Sequence, residues 1–167
     1  MTLLSDIELR NKCLEIRDLF VDRRDYYASY IDFLYKNGSR PSEALRSDYI
    51  LGESGDQYIL QPDKNNLTRL VDFDLVNKDM VNYYLNDSKY LRPQQYEAIS
   101  NRFQKMIFPT GYRIDNKELG MYIFRYNYVR TLNSLGYTIA EIKIKMGWNT
   151  NGIAERYINS KIYEYNK

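Results

Sequence analysis

The stretch Tyr122-Ile123-Phe124-Arg125-Tyr126-Asn127-Tyr128-Val129-Arg130-Thr131-Leu132-Asn133-Ser134-Leu135-Gly136 decides the fold, together with the residues up to Tyr157. Thr138-Ile139-Ala140-Glu141 through Met146-Gly147-Trp148 comes next, and Asn149 through Tyr157 closes the run. A helix carrying an arginine ends at one glycine. A second, shorter helix opens on a Thr-x-x-Glu capping box and ends at another glycine. An indole donor stands directly after that glycine, and a tyrosine stands nine residues beyond it.

Working outward, residues from about Leu4 to Lys36 repeat apolar side chains at helical spacing. Ser5 or Asp6 suits the N-cap, and Asp22-Arg23-Arg24-Asp25 suits a bend between two helices. Asn37-Gly38 ends the segment. Gly38-Ser39-Arg40-Pro41-Ser42-Glu43-Ala44-Leu45 opens another helix, with Pro41 in its first turn and Arg40 just ahead. The period then shifts towards two. Tyr49–Leu51, Gln57–Gln61 and Thr68–Phe73 read as three strands joined by turns at Gly52–Asp56 and Pro62–Asn66, with Lys64 at a hairpin tip. Helices are expected again over about Asn77–Leu85, Pro93–Met106, Asn116–Leu135 and Gly152–Ile162, with Phe108–Tyr112 as a loop. The class is α+β, mostly helical, with one small three-stranded antiparallel sheet that must pack on helices to be stable. No linker divides the chain, so residues 1–167 are expected to form a single domain.

Composition narrows the chemistry. The chain is 44% apolar and 28% charged, which fits a soluble globular protein. It has no run of 18 apolar residues and no basic-then-apolar leader, so an intracellular, cytoplasmic protein with no membrane partner is expected. Cys13 is the single cysteine and can form no internal disulfide. The absence of histidine removes serine–histidine and cysteine–histidine catalysis and most zinc sites. Proton transfer is left to Lys, Tyr, Asp, Glu or Cys. Net charge is only +2, but Met121–Lys167 holds seven Lys and Arg against three Asp and Glu. That bias suits a phosphate-binding face, and a solvated helix surface would show it equally.

Three separated pieces together resemble the tyrosine recombinases, or phage-type integrases. Gly38-Ser39-Arg40-Pro41-Ser42-Glu43 resembles that family's arginine box. Lys64-Asn65-Asn66-Leu67-Thr68-Arg69 resembles its hairpin lysine ahead of an arginine-bearing strand. The Tyr122–Tyr157 stretch resembles the His-x-x-Arg box, the Gly-His/Trp step and the nucleophilic tyrosine. Arg125 precedes Gly136 by eleven residues, Gly136 precedes Trp148 by twelve, and Trp148 precedes Tyr157 by nine, as is usual in the family. The resemblance covers nearly the whole chain and implies the family's catalytic domain, without its N-terminal core-binding domain and with a short tail after Tyr157. Tyr122 departs from the pattern by standing where the family usually has His. Certain archaeal integrases and telomere resolvases resemble this sequence in that choice.

The resemblance implies a role for each residue. Arg40 and Arg125 would clamp a phosphate through planar, permanently charged forks. Lys64 would protonate the leaving 5′ oxygen, and Trp148 would donate its indole N–H to the phosphate. Tyr157 would attack phosphorus to form a 3′-phosphotyrosyl link, which conserves bond energy and needs no cofactor or metal. Tyr122 would donate a hydrogen bond. Double-stranded DNA is the implied partner, with a homo-oligomer assembled on it in the cytoplasm of a prokaryotic or phage-infected cell. Two function classes stay open. One is a site-specific recombinase or integrase. The other is a catalytically silent DNA-binding regulator on the same fold, as some phage repressors resemble.

Overall fold

The computed structural model describes residues 1–43, 50–51, 57–60, 69–72 and 93–167. Among them, six helices carry most of the chain: α1 (Asp6–Asp22), α2 (Ala28–Asn37), α3 (Pro93–Ile107), α4 (Ile123–Ser134), α5 (Ile139–Met146) and α6 (Asn151–Asn159). The strands are β1 (Thr2–Leu3), β2 (Ile50–Leu51), β3 (Gln57–Leu60), β4 (Arg69–Asp72), β5 (Thr110–Ile114), β6 (Lys117–Glu118) and β7 (Ile162–Asn166). None of these helices is long and apolar enough to cross a membrane.

Local chemistry sets the helix ends. Ser5 caps α1 with a full capping box: Glu8 N–H donates to Ser5 Oγ at 3.1 Å and Ser5 N–H to Glu8 Oε1 at 3.2 Å. The bend expected near Asp22–Asp25 is a clean break. Arg24 turns into the left-handed region at φ 50°, and the buried Asp25 carboxylate takes Arg102 of α3 at 2.6 Å. Thr138 and Glu141 make the capping box expected from the sequence, and Gly147 ends α5 at φ 71°. Gly38 ends α2 at φ 60°, and a Cβ there would lie 2.6 Å from Cβ and Cγ of Tyr128, so only glycine fits.

The small sheet forms as expected, in order β2-β3-β4, all antiparallel, with Tyr58 opposite Val71 and Ile59 opposite Leu70. In β4, Arg69 and Val71 face inward. The side chain of Asn37 pins this strand to the end of α2. Its amide donates to the Asp72 carbonyl at 2.9 Å and its oxygen accepts from Asp72 N–H at 2.8 Å.

Three expectations change. Phe108–Tyr112 is not simply a loop, because Thr110–Ile114 forms β5. The helix expected from Asn116 starts only at Ile123, because Lys117–Glu118 folds back on β5. The last helix stops at Asn159, and Ile162–Asn166 becomes β7. These pieces build a second, four-stranded antiparallel sheet in order β1-β7-β5-β6. Its register explains the surprise: Gly111 pairs with Tyr165, whose ring lies over the glycine where a Cβ would collide at 2.6 Å. A Pro-Thr-Gly run that reads as a turn is thus a strand completed by an aromatic from the far end of the chain. The expected helix over Asn77–Leu85, and the continuation of the Gly38–Leu45 segment beyond a turn at Pro41–Glu43, lie outside the described residues.

Helix α4 joins two apolar clusters. Its start, with Ile123 and Phe124, packs with α1, α2, α3 and Tyr112. Its second half, with Val129 and Leu132, packs with Ile142, Met146, Trp148 and Ala154. Cys13 is buried in the first cluster as a free thiol, and burial pushes its pKa up. Arg125 sits where the two clusters meet.

Candidate active site

Arg125 occupies the first turn of α4 and is 2% exposed. Its Nη1 donates to the Gly38 carbonyl at 3.0 Å and its Nε to the Tyr157 hydroxyl at 3.2 Å. The guanidinium carbon lies 5.3 Å from the centre of the Trp148 ring and 5.7 Å from that of Tyr157. Among the described residues it has no carboxylate partner. A buried cation held by a carbonyl, a phenol and two ring faces, without a carboxylate among the described residues, keeps capacity for an anion.

Tyr157 reaches that position through α6. Ile153, Ala154, Tyr157 and Ile158 form the face of α6 that packs on the second cluster. Tyr157 is half-buried, with its ring between Trp148 (5.2 Å between centres, 24° between planes) and Tyr126 (4.4 Å, 38°). Trp148 is 1% exposed. Its indole N–H is buried and has no hydrogen-bond partner among the described residues. The Gly147 turn aims this ring: Trp148 N–H donates to the Lys143 carbonyl at 2.9 Å, closing the end of α5.

Arg40 lies just beyond the Gly38 turn. Glu43 holds it, with Nε 3.7 Å from Oε1 and the Arg40 backbone N–H 3.5 Å from Oε2. Tyr30 fixes the turn by donating its hydroxyl to the Pro41 carbonyl at 2.7 Å. Tyr122, 37% exposed, stands ahead of α4. Burial raises its phenol pKa above the ordinary value of 10.0, while the charges of Arg40 and Arg125 pull it back. The phenol is therefore a neutral hydrogen-bond donor near neutrality, and it feels both arginines and Tyr157. Of the six residues singled out in the sequence, Arg125, Trp148 and Tyr157 touch one another. Tyr122 and Arg40 stand beside them. Lys64 lies outside the described residues.

Two buried arginines hold this arrangement and were not singled out as site residues. Arg69 of β4 donates through Nη2 to the Asn37 carbonyl and through Nη1 to Met146 Sδ at 3.2 Å. It also faces the Tyr128 ring. With Arg125 on Gly38, two cations therefore sit on successive carbonyls at the C-terminal end of α2, where the helix dipole favours positive charge. Arg130, one and a half turns beyond Arg125 on α4, donates to the Tyr157 carbonyl at 3.3 Å and to Ser160 Oγ at 3.4 Å, and it faces Asp6 at 3.5 Å. Burial lowers its pKa and Asp6 opposes that shift. No spacing rule marks Arg130. Only its place on a helix already carrying Arg125 could have drawn attention to it.

Solved structures share this architecture. XerA recombinase superposes with a TM-score of 0.64 over 95% of this chain and 60% of its own, at 13% identity. XerH site-specific recombinase, in a pre-cleavage complex with its difH substrate, gives 0.56 over 94% of this chain and 50% of its own, at 17% identity. The chain thus spans about half to three-fifths of the length of these neighbours. No family model and no curated protein matches the sequence. The fold is that of a tyrosine recombinase catalytic domain.

Proposed function

We propose that this chain binds duplex DNA and transfers strands as a site-specific recombinase, with Tyr157 as nucleophile. The observation that carries the reading is the contact between the Tyr157 hydroxyl and the buried Arg125 guanidinium, which has no carboxylate on it among the described residues. A phosphate drawn to that cation meets the phenol oxygen at once, so binding and alignment are one event. Arg125 and Arg40 neutralise non-bridging oxygens, and the unpartnered Trp148 N–H adds a third donor as charge builds on phosphorus. The Tyr157 oxygen bonds to phosphorus, the bond to the 5′ oxygen breaks, and a 3′-phosphotyrosyl link remains. The phenol proton leaves to water, and Lys64 supplies one to the departing 5′ oxygen. Reversal by a 5′ hydroxyl rejoins the strand. A homo-oligomer on DNA, in a cytoplasmic setting, belongs to the same reading.

The test is a suicide DNA substrate that traps a denaturant-resistant protein–DNA adduct. Wild type should form it on its cognate site and Tyr157→Phe should not. Absence of adduct from wild type on that site would refute the reading. One observation favours a second reading, a DNA-binding regulator without turnover. The phenol of Tyr122, raised in pKa, cannot shuttle protons near pH 7 as imidazole does. In that case Tyr157→Phe would leave DNA binding and regulation intact, with the Lys and Arg cluster serving affinity alone.

A further inference from the structure

A second cationic cavity lies outside this site. It has a volume of about 200 Å³ and is lined by Arg10 of α1, Tyr35 and Lys36 of α2, and Asn127, Tyr128 and Thr131 of α4. That is below the ~300 Å³ at which ordinary small-molecule pockets begin, so its occupant is small. Among the described residues, the lining holds two cations and no carboxylate. Asp32 pairs with Lys36 from behind at 2.6 Å, and Arg17, on Asp32 at 2.8 Å, has Asp18 as well, so it is Arg10 that brings charge with no carboxylate on it among the described residues.

The polar groups are arranged to donate. Arg10 uses Nη2 on Ser134 Oγ at 3.0 Å, while its Nε is buried with no partner among the described residues. Asn127 is 4% exposed, makes no side-chain hydrogen bond among the described residues, and lines the cavity. Tyr35 remains a neutral O–H, its pKa raised chiefly by burial. Guanidinium, ammonium, amide and hydroxyl donors around a small volume suit a tetrahedral oxyanion.

We propose that the cavity between α1, α2 and α4 is a binding site for a phosphate-type oxyanion, held by Arg10, Lys36 and Asn127. The ion would be a free phosphate or a backbone phosphate of bound DNA. The site sits behind the Gly38 turn, since Lys36 precedes Gly38 by two residues and Asn127 follows Arg125 by two. It does not depend on strand transfer by Tyr157.

Isothermal titration calorimetry of the full chain with inorganic phosphate in chloride buffer is the first measurement. Wild type should bind phosphate saturably in the cavity, over and above any held at Arg125. Asn127→Asp, which keeps the side-chain shape and adds negative charge, should weaken binding at least tenfold. Arg10→Gln should weaken it about tenfold. Circular dichroism of each variant checks the fold, and phosphate should raise the melting temperature of wild type more than that of either variant. A second arm titrates a non-specific DNA duplex. If DNA phosphate fills the cavity, Asn127→Asp weakens duplex binding and lowers its salt slope by about one. If free phosphate fills it, duplex affinity is unchanged while phosphate binding falls. No saturable phosphate binding by wild type, together with a duplex affinity that Asn127→Asp leaves alone, overturns the proposal. So does wild-type phosphate binding that a folded Asn127→Asp fully retains.

Discussion

Replacing Gly38 by alanine tests how tightly the site is built. Gly38 sits at φ 60°, where an L side chain costs about 1–2 kcal/mol. Its new Cβ would also lie 2.6 Å from Cβ and Cγ of Tyr128. The Tyr128 Cβ is fixed to the α4 backbone, so no rotamer change relieves that contact, and the helix itself must shift. Overpacking of that kind costs about 1–3 kcal/mol more. The sum is near 3 kcal/mol, or about 6–12 °C in melting temperature for a chain of this size. Two other glycines separate the contributions. Gly136 has φ 94° with nothing within 4 Å of a new Cβ, so Gly136→Ala should cost the backbone part alone, about 1–2 kcal/mol. Gly152 lies in α6 with open space around it, so Gly152→Ala should be neutral or stabilising by up to ~1 kcal/mol. Urea unfolding of the three variants gives the comparison. If Gly38→Ala and Gly136→Ala fall within about 0.5 kcal/mol of each other, the close approach of α2 to α4 is not a constraint, and the reasoning fails.

Other substitutions probe the site and its supports. Tyr122→His should introduce a pH inflection in adduct formation below ~6.5, because burial and two nearby arginines depress an imidazole, whereas wild type should show none from this residue between pH 6 and 8. Arg130→Met should cost only about 1–2 kcal/mol, since Ser160 Oγ still donates to the Tyr157 carbonyl at 2.8 Å and the buried cation is relieved. Asp6 is half-exposed, so Asp6→Asn should cost under ~1 kcal/mol, and a double-mutant cycle with Arg130→Met should couple by less than that. Lys167→Met tests the end of β7. The Lys167 ammonium, helped by the Tyr165 hydroxyl, holds Glu118 below its ordinary 4.5. That contribution is complete above pH 4.5 and disappears as pH falls through the lowered folded value, so the variant should flatten the stability profile in that acid window.

What the sequence discloses depends on how local each signal is. The capping box at Thr138–Glu141 and the glycine stops at Gly38 and Gly147 are decided within one turn, and all stand where expected. The β2-β3-β4 sheet is legible because its strands are neighbours in sequence. β5 and β7 are not, because their pairing joins Thr110–Ile114 to Ile162–Asn166, and Gly111 becomes a strand residue only with the Tyr165 ring over it. Trp148 and Tyr157, nine residues apart and both singled out in the sequence, stack at 5.2 Å between ring centres. Arg69 and Arg130 work through tertiary contacts to carbonyls, which no spacing rule encodes.

Charge is compensated differently among the arginines of this fold. Arg17 lies on Asp18 and Asp32, Arg102 on Asp25, and Arg130 faces Asp6. Each has a carboxylate that offsets its removal from water. Arg125 is the most deeply buried of these four, yet among the described residues it has none. Its carbonyl and phenol contacts satisfy hydrogen bonds without neutralising the charge. A cation kept in that state raises the cost of folding and gains nothing for it unless an anion arrives. The Trp148 N–H near it has no partner among the described residues, and Glu43 reaches Arg40 only at 3.7 Å. Arg69, 5% exposed, also rests on a carbonyl, that of Asn37, and on Met146 Sδ, so what sets Arg125 apart is the Tyr157 hydroxyl on its Nε. In the proposed strand transfer, the lack of a counter-charge at Arg125 among the described residues, together with its contact to the Tyr157 hydroxyl, is the physical reason to place the phosphate there.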